Sequence, residues 1–207
     1  MDETARDRLE QEVRHLCESG SYEGAATEVL RGYGSEIFGF LVAIHPSEAD
    51  ASDAFSELAE AIWRGLPRFA WESSVRTWAY AVARNITRTR KRNAARRDRR
   101  VVGGSDSVVQ EVAERVRTQT KAFLRTENKT RLQALRDSLP EEDRMLLVLR
   151  VDRGLAWNEL ARILSEGDGS DAPDDVALAK EAARLRKRFQ LVKERLRELA
   201  KREGLLE

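Results

Sequence analysis

Residues Val75–Arg92 read VRTWAYAVARNITRTRKR, a pattern that predicts a helix with two opposed sides. Val75, Trp78, Ala79, Val82 and Ile86 recur at helical spacing as an apolar stripe, the side expected to be buried. Arg76, Tyr80, Arg84, Arg88 and Arg92 follow one another in steps of four on the other side, with Asn85 beside them. That side is expected to offer guanidinium forks and one ring to something negatively charged. Such forks suit phosphate oxygens, and a ring among them can stack on an unpaired base. A solvated helix face is the competing reading of the arginines alone; the ring within the row turns it towards nucleic acid. The basic character continues through Lys91–Arg100, where Asp98 is the one acid.

The preceding loop, Pro67–Ser74 (PRFAWESS), carries Phe69 and Trp71. Two aromatics in a short loop either cap a core or sit where single-stranded bases pass. Ser73 or Ser74 then caps the helix that follows. Before the loop, Glu48–Leu66 reads as a helix with Ser47 as its N-cap and acids in its first turn. Phe55, Leu58, Ala59, Ile62 and Leu66 face inward, and Asp50, Asp53, Glu57 and Glu60 line the opposite side. That acidic side is either solvated or a docking surface for a basic helical partner. Acid–base catalysis is excluded by the lack of a companion nucleophile or metal ligand. Further back, Tyr33–Ile44 is an apolar helix ended by His45-Pro46, and residues 3–31 read as helical with a break at Glu18–Ser21.

The whole chain of 207 residues is 41% hydrophobic and 35% charged, with four prolines. Long runs of Ala, Leu, Glu and Arg without β-branched blocks predict an all-α protein. A formal net charge of +1 conceals segregation. Residues 1–60 hold fourteen acids and four bases, residues 76–100 ten bases and one acid, and residues 180–202 ten bases and three acids. Two basic blocks suggest two contacts with a polyanion, and the acidic front suggests a basic protein partner. Cys17 is the one cysteine, so no internal disulfide is expected and a reducing cytoplasm fits. The polar N-terminus does not read as a signal peptide, and no apolar run is long enough for membrane insertion. With two histidines, no Gly-rich phosphate loop and no metal cluster, the chain does not read as an enzyme, and no cofactor is expected.

Beyond the basic run the pattern lapses at Val101–Val109 (VVGGSDSVV), and a flexible linker is placed over residues 101–122. It separates two small helical domains, 1–100 and 123–207. Glu111–Ser138 reads as helical but becomes convincingly amphipathic only at Leu124, Leu132, Leu135 and Leu139. Met145–Val151 is a compact apolar helix closed by Arg153-Gly154, and Trp157–Ser165 is another short helix. EGDGSDAPDD, residues 166–175, is a loop whose acids lack the alternate spacing of a calcium site. The last helix, Val176–Arg202, turns Leu185, Phe189, Val192, Leu196 and Leu199 inward and exposes Arg184, Arg186, Lys187 and Arg188. A bundle core and a dimer seam both explain that apolar row. A short helix, a turn and a basic helix give the outline of a helix-turn-helix.

The stretch Asp50–Arg92 resembles the first conserved domain of bacterial RNA polymerase sigma factors, of the compact two-domain extracytoplasmic-function type within the sigma-70 family. The resemblance is carried by Ala51, Asp53, Glu57, Trp63, Arg64, Leu66, Pro67, Phe69, Arg76, Thr77, Trp78, Tyr80, Ala83, Arg84 and Asn85. Leu139–Leu164 and the last helix are similar to the family's second domain. Ser56 stands where the family usually has Gln, Ala59 where it has an aromatic, and the turn before the last helix is longer than usual. The resemblance implies that Asp50, Asp53, Glu57 and Glu60 dock on core RNA polymerase. It implies that Arg76, Tyr80, Arg84, Asn85, Arg88 and Arg92 grip the minus-ten element of promoter DNA, with the Phe69–Ser74 loop, which carries Phe69 and Trp71, holding a flipped base. Arg184, Arg186, Lys187 and Arg188 would enter the major groove at minus thirty-five. An anti-sigma partner and a cytoplasmic, nucleoid-associated location also follow from the resemblance. The alternatives are a dimeric helix-turn-helix regulator acting without polymerase and a non-specific helical RNA-binding protein. The acidic front helix tells against the regulator, which has no need of it.

Overall fold

A computed structural model describes residues 1–96, 107–126, 131–165 and 174–205. All regular structure among them is helical, as expected. In order come α1 (Glu3–Glu18), α2 (Tyr22–Ile44), α3 (Glu48–Gly65) with a 3-10 turn at Leu66–Arg68, and α4 (Val75–Arg96). They are followed by α5 (Ser107–Thr126), α6 (Arg131–Asp137), α7 (Glu141–Leu147) running into a π turn at Val148–Asp152, α8 (Trp157–Leu164) and α9 (Asp175–Arg202). The chain divides into two compact units, Met1–Leu124 and Arg125–Glu207.

The first unit is built around α2, which α1, α3 and α4 all pack against. This helix is apolar on nearly every side, with Ala25, Val29, Leu30, Tyr33, Ile37, Phe38, Phe40, Leu41 and Ile44 all buried. A helix of that kind must be enclosed. Phe38 meets Phe55 of α3 edge-on at 5.2 Å, and Phe40 meets Tyr80 of α4 at 5.6 Å. His45 closes α2 as a helix-end polar residue, with Nε2 at 3.2 Å from Thr87 Oγ1. Ser47 caps α3, its Oγ accepting from the Asp50 amide at 3.0 Å. The inward residues expected of α3, Phe55, Leu58, Ala59, Ile62 and Leu66, are all buried.

The tether expected over residues 101–122 is, from Ser107 onward, the helix α5, and most of it belongs to the first unit. Val109, Val112, Ala113 and Thr120 are buried along one side of it. Arg117 Nη1 donates to the Ser52 carbonyl at 3.1 Å and to Ser56 Oγ on α3. Val116 lies over Gly34 of α2, where an added Cβ would come within 3.0 Å of Val116 Cγ1. The stripe is made of small β-branched residues and alanine, with no leucine before Leu124, so it is faint as a sequence signal. The paired glycines Gly103 and Gly104 lie outside the described residues.

In the second unit Leu139, Leu147 and Val192 form a buried cluster onto which Phe189 and Leu196 pack. Gly154 adopts φ +67° just beyond the π turn, the left-handed closing position expected of it. Asp174 caps α9, accepting from the Ala177 amide at 2.6 Å. Residues 166–173 of the acidic loop lie outside the described residues.

Candidate nucleic-acid interface

The start of α4 is held from two sides. Ser74 Oγ accepts from the Thr77 amide at 3.0 Å, making Ser74 the capping serine. Glu10 of α1 accepts from the Val75 amide at 2.7 Å and the Arg76 amide at 3.2 Å, and from the Tyr33 hydroxyl at 2.9 Å. A carboxylate at the positive end of a helix dipole thus satisfies amides that have no partner within the helix. Burial, and then the neighbouring Glu10 charge, raise the Tyr33 hydroxyl above its ordinary pKa.

The side of α4 that packs overlaps the expected one only at Val75 and Ala79, which are buried. Arg76, Tyr80, Ala83, Arg84 and Thr87 are buried, while Trp78, Val82 and Ile86 are only half-buried. The packed side is turned by about 100°, one residue's rotation in an α-helix. Two contacts explain the turn. Glu36 is the one acid within the apolar half of α2, and a carboxylate there needs a cation. Arg76 supplies it, with Nε at 2.6 Å and Nη2 at 3.0 Å from the two carboxylate oxygens. Tyr80 sets its ring edge-on against Phe40, with the Arg76 guanidinium 5.7 Å from the ring centre. Of the basic row read from the sequence, Arg76, Tyr80 and Arg84 are therefore interior residues, and Arg88 and Arg92 remain exposed.

The outward side of α4 presents Trp78, Ala81, Asn85, Arg88 and Arg92. Asn85 is exposed together with the two arginines. Trp78 stacks on Phe69 of the preceding loop at 4.8 Å and 28°, and Phe69 meets Trp71 at 4.8 Å and 49°. All three rings are half-buried. The indole of Trp78 covers Gly65, where an added Cβ would lie 2.7 Å from its Cζ2. Trp71 has φ +60°, a left-handed backbone that a bulky side chain rarely adopts. A file of partly open rings therefore runs into a polar and cationic helix face. Trp78 was assigned to the core by its spacing; its place in this file is what the sequence reading missed.

The acidic row of α3 is broken up by its partners. Asp50 accepts from Ser47 Oγ at 2.6 Å and so belongs to the cap. Glu60 is buried and pairs with Arg64 at 2.7 Å. Asp53 and Glu57 both pair with Arg90 of α4, Asp53 at 3.4 Å, and only Asp53 is fully exposed. Arg90 is thus turned towards α3, a role its position in a basic run does not reveal.

In the second unit the four basic residues of α9 also divide. Arg188 Nε lies 2.7 Å from Asp143 and Nη1 2.8 Å from Glu142, both on α7. Partial burial alone would lower the Arg188 pKa, but those two hydrogen bonds outweigh it and raise the pKa. Arg184 is paired within its own helix to Glu181 at 2.8 and 2.7 Å. Arg186 and Lys187 are exposed, and the Arg186 guanidinium lies 5.7 Å from the centre of the Trp157 ring. Arg150 reaches the same ring at 4.8 Å.

Among the described residues no three His, Cys, Asp or Glu side chains are grouped to hold a metal ion. No described helix is long and apolar enough to cross a membrane. No curated protein matches the chain. Residues 29–97 match the family model described as Sigma-70 region 2. The matched segment runs from within α2 past the end of α4, taking in the acidic row, the aromatic loop and the cationic helix face.

Proposed function

We propose that this chain is a two-domain sigma factor of the extracytoplasmic-function type, which binds core RNA polymerase and brings it to specific promoters. The observation that carries the reading is the ring file Phe69, Trp71 and Trp78 opening onto Asn85, Arg88 and Arg92. Promoter opening exposes unpaired bases, and stacking a base on an aromatic contributes about 1–3 kcal/mol. The arginines beyond the rings would hold the adjoining phosphates, and Asn85 has the donor and acceptor to read a base edge. In this reading the first unit handles the minus-ten element. Arg76, Tyr80 and Arg84 act from behind, fixing the rotation of α4. Asp53, the open acid of α3, leads the docking on a basic surface of polymerase, with Glu57 and Arg90 beside it. The second unit acts as the helix-turn-helix domain at minus thirty-five, with Arg186 and Lys187 reaching the groove and Arg188 holding α9 on α7. The chain has no bond-making step of its own; the polymerase supplies the chemistry. The reading places it in the cytoplasm on the nucleoid, with an anti-sigma protein as a natural partner.

Co-purification with core polymerase, followed by run-off transcription on a genomic library, tests this directly. Defined start sites are expected, lost with Asp53→Lys at the docking step and with Arg88→Ala at the DNA step. A chain that neither joins polymerase nor selects start sites would remove the proposal. Tight duplex binding by a dimer without polymerase would favour the regulator instead.

A further inference from the structure

The ring file continues beyond Trp71. The Arg14 guanidinium lies 4.6 Å from the centre of the Trp71 ring, nearly the spacing of 4.8 Å that separates Trp71 from Phe69 and Phe69 from Trp78. Guanidinium, indole, phenyl and indole thus form one file. Arg14 belongs to α1, which lies outside the segment matched by the family model. One helical turn earlier on α1, Glu10 bonds the first two amides of α4. The helix carrying Arg14 is therefore tied to the helix carrying Trp78, and the position of Arg14 over the loop is fixed by structure on both sides. Arg14 is exposed, and among the described residues no carboxylate pairs with it. Two acids stand four residues from it along α1: Glu10, already engaged by α4 and Tyr33, and Glu18, which is exposed.

We infer that Arg14 is a further single-strand contact, binding the phosphate next to a nucleotide whose base joins the ring file. A guanidinium lying over an indole keeps its N–H groups directed outward in its own plane, the geometry that suits phosphate oxygens. The left-handed backbone of Trp71 turns the indole to where Arg14 covers it, so the ring and the cation form one recognition unit. The inference rests on the nucleic-acid reading above and adds α1 to a surface otherwise formed by α4 and its loop.

The test uses the full chain bound to core polymerase and a fluorescent single-stranded DNA of mixed sequence, with core polymerase alone as the blank. Anisotropy is read across a salt series. Arg14→Ala is expected to weaken binding about threefold to tenfold and to make the log–log salt slope shallower by about 0.7, the value for one phosphate contact on a single strand. Arg14→Lys should keep the slope, and Trp71→Ala should lose affinity with the slope unchanged. Unchanged affinity in Arg14→Ala overturns the inference. So does weaker binding with an unaltered slope, which would make Arg14 a prop for the loop. If the wild-type chain adds no single-strand affinity over the blank, the broader reading fails. If it does, and Arg14→Ala matches it, only the assignment of Arg14 fails.

Discussion

Replacing Arg76 with alanine should destabilise the first unit rather than disarm it. The Arg76 side chain is 6% exposed, and its guanidinium holds both carboxylate oxygens of Glu36, whose side chain is 23% exposed. Removing one partner of a buried pair costs about 3–5 kcal/mol, because the other charge is left without compensation. The partial exposure of Glu36 puts Arg76→Ala at the low end, about 3 kcal/mol, including the lost contact with Tyr80. Glu36→Ala should cost a comparable amount, since it removes the two-pronged partner of the more deeply buried cation. The double variant should fall short of the sum by about 2 kcal/mol, the signature of a direct pair. Urea unfolding in a Trp157→Phe background reads this cleanly, because the remaining tryptophans, Trp63, Trp71 and Trp78, all belong to the first unit. An Arg76→Ala chain that unfolds at the wild-type urea midpoint yet loses DNA affinity would refute the reasoning and return Arg76 to the DNA-facing row.

The same division can be checked in the second unit. Arg188→Ala should destabilise it by about 1–2 kcal/mol through the lost hydrogen bonds to Asp143 and Glu142. Arg186→Ala with Lys187→Ala should stay within about 0.5 kcal/mol of wild type while lowering duplex affinity; thermal unfolding and a filter-binding assay separate the two. Tyr33 gives a pH signature. Burial, then Glu10, holds its hydroxyl protonated in the fold at a pH where the unfolded chain, with an ordinary pKa near ~10, has ionised. The folded state then binds more protons, so this contribution is complete below about pH 10 and is lost as pH rises above that. Tyr33→Phe should flatten the alkaline limb of a stability–pH curve; an unchanged limb would place the ionisation elsewhere.

The helical class and most helix ends were legible because their signals are local: Ser47 before α3, Pro67 after it, Gly154 beyond α7. The rotation of α4 was not, because it depends on residues forty positions away. By letter, Arg76, Tyr80 and Arg84 form a polar row. In space, Glu36 draws Arg76 inward and Phe40 receives Tyr80. One clue was present: an isolated acid inside the apolar run of α2 calls for a buried cation. A second was that Ala83 and Thr87, uncharged, share the side of the supposed basic row. The helix α5 was hidden for a different reason. Its stripe of valines, alanine and threonine resembles a linker by composition and becomes a packing face only where Gly34 and Ser56 leave room for it. The acidic row of α3 was legible as a pattern, but its engagement by Arg90 depends on how α3 and α4 pack.

These pairings change what the charge segregation means. Read as sequence, the acidic front and the basic block of α4 are two opposed fields. In the structure they partly cancel, Arg76 against Glu36 and Arg90 against Asp53 and Glu57. A base already held by a carboxylate releases no counterion when DNA arrives, so it adds little to the salt dependence of binding. The slope should then follow the exposed bases rather than the number of arginines in the helix. Single alanine variants of Arg88 and Arg92 should each make the slope for single-stranded DNA shallower by about 0.7, while Arg84→Ala should leave it unchanged. A shallower slope in Arg84→Ala, with Arg88→Ala silent, would show that α4 meets DNA through the side assigned here to the interior.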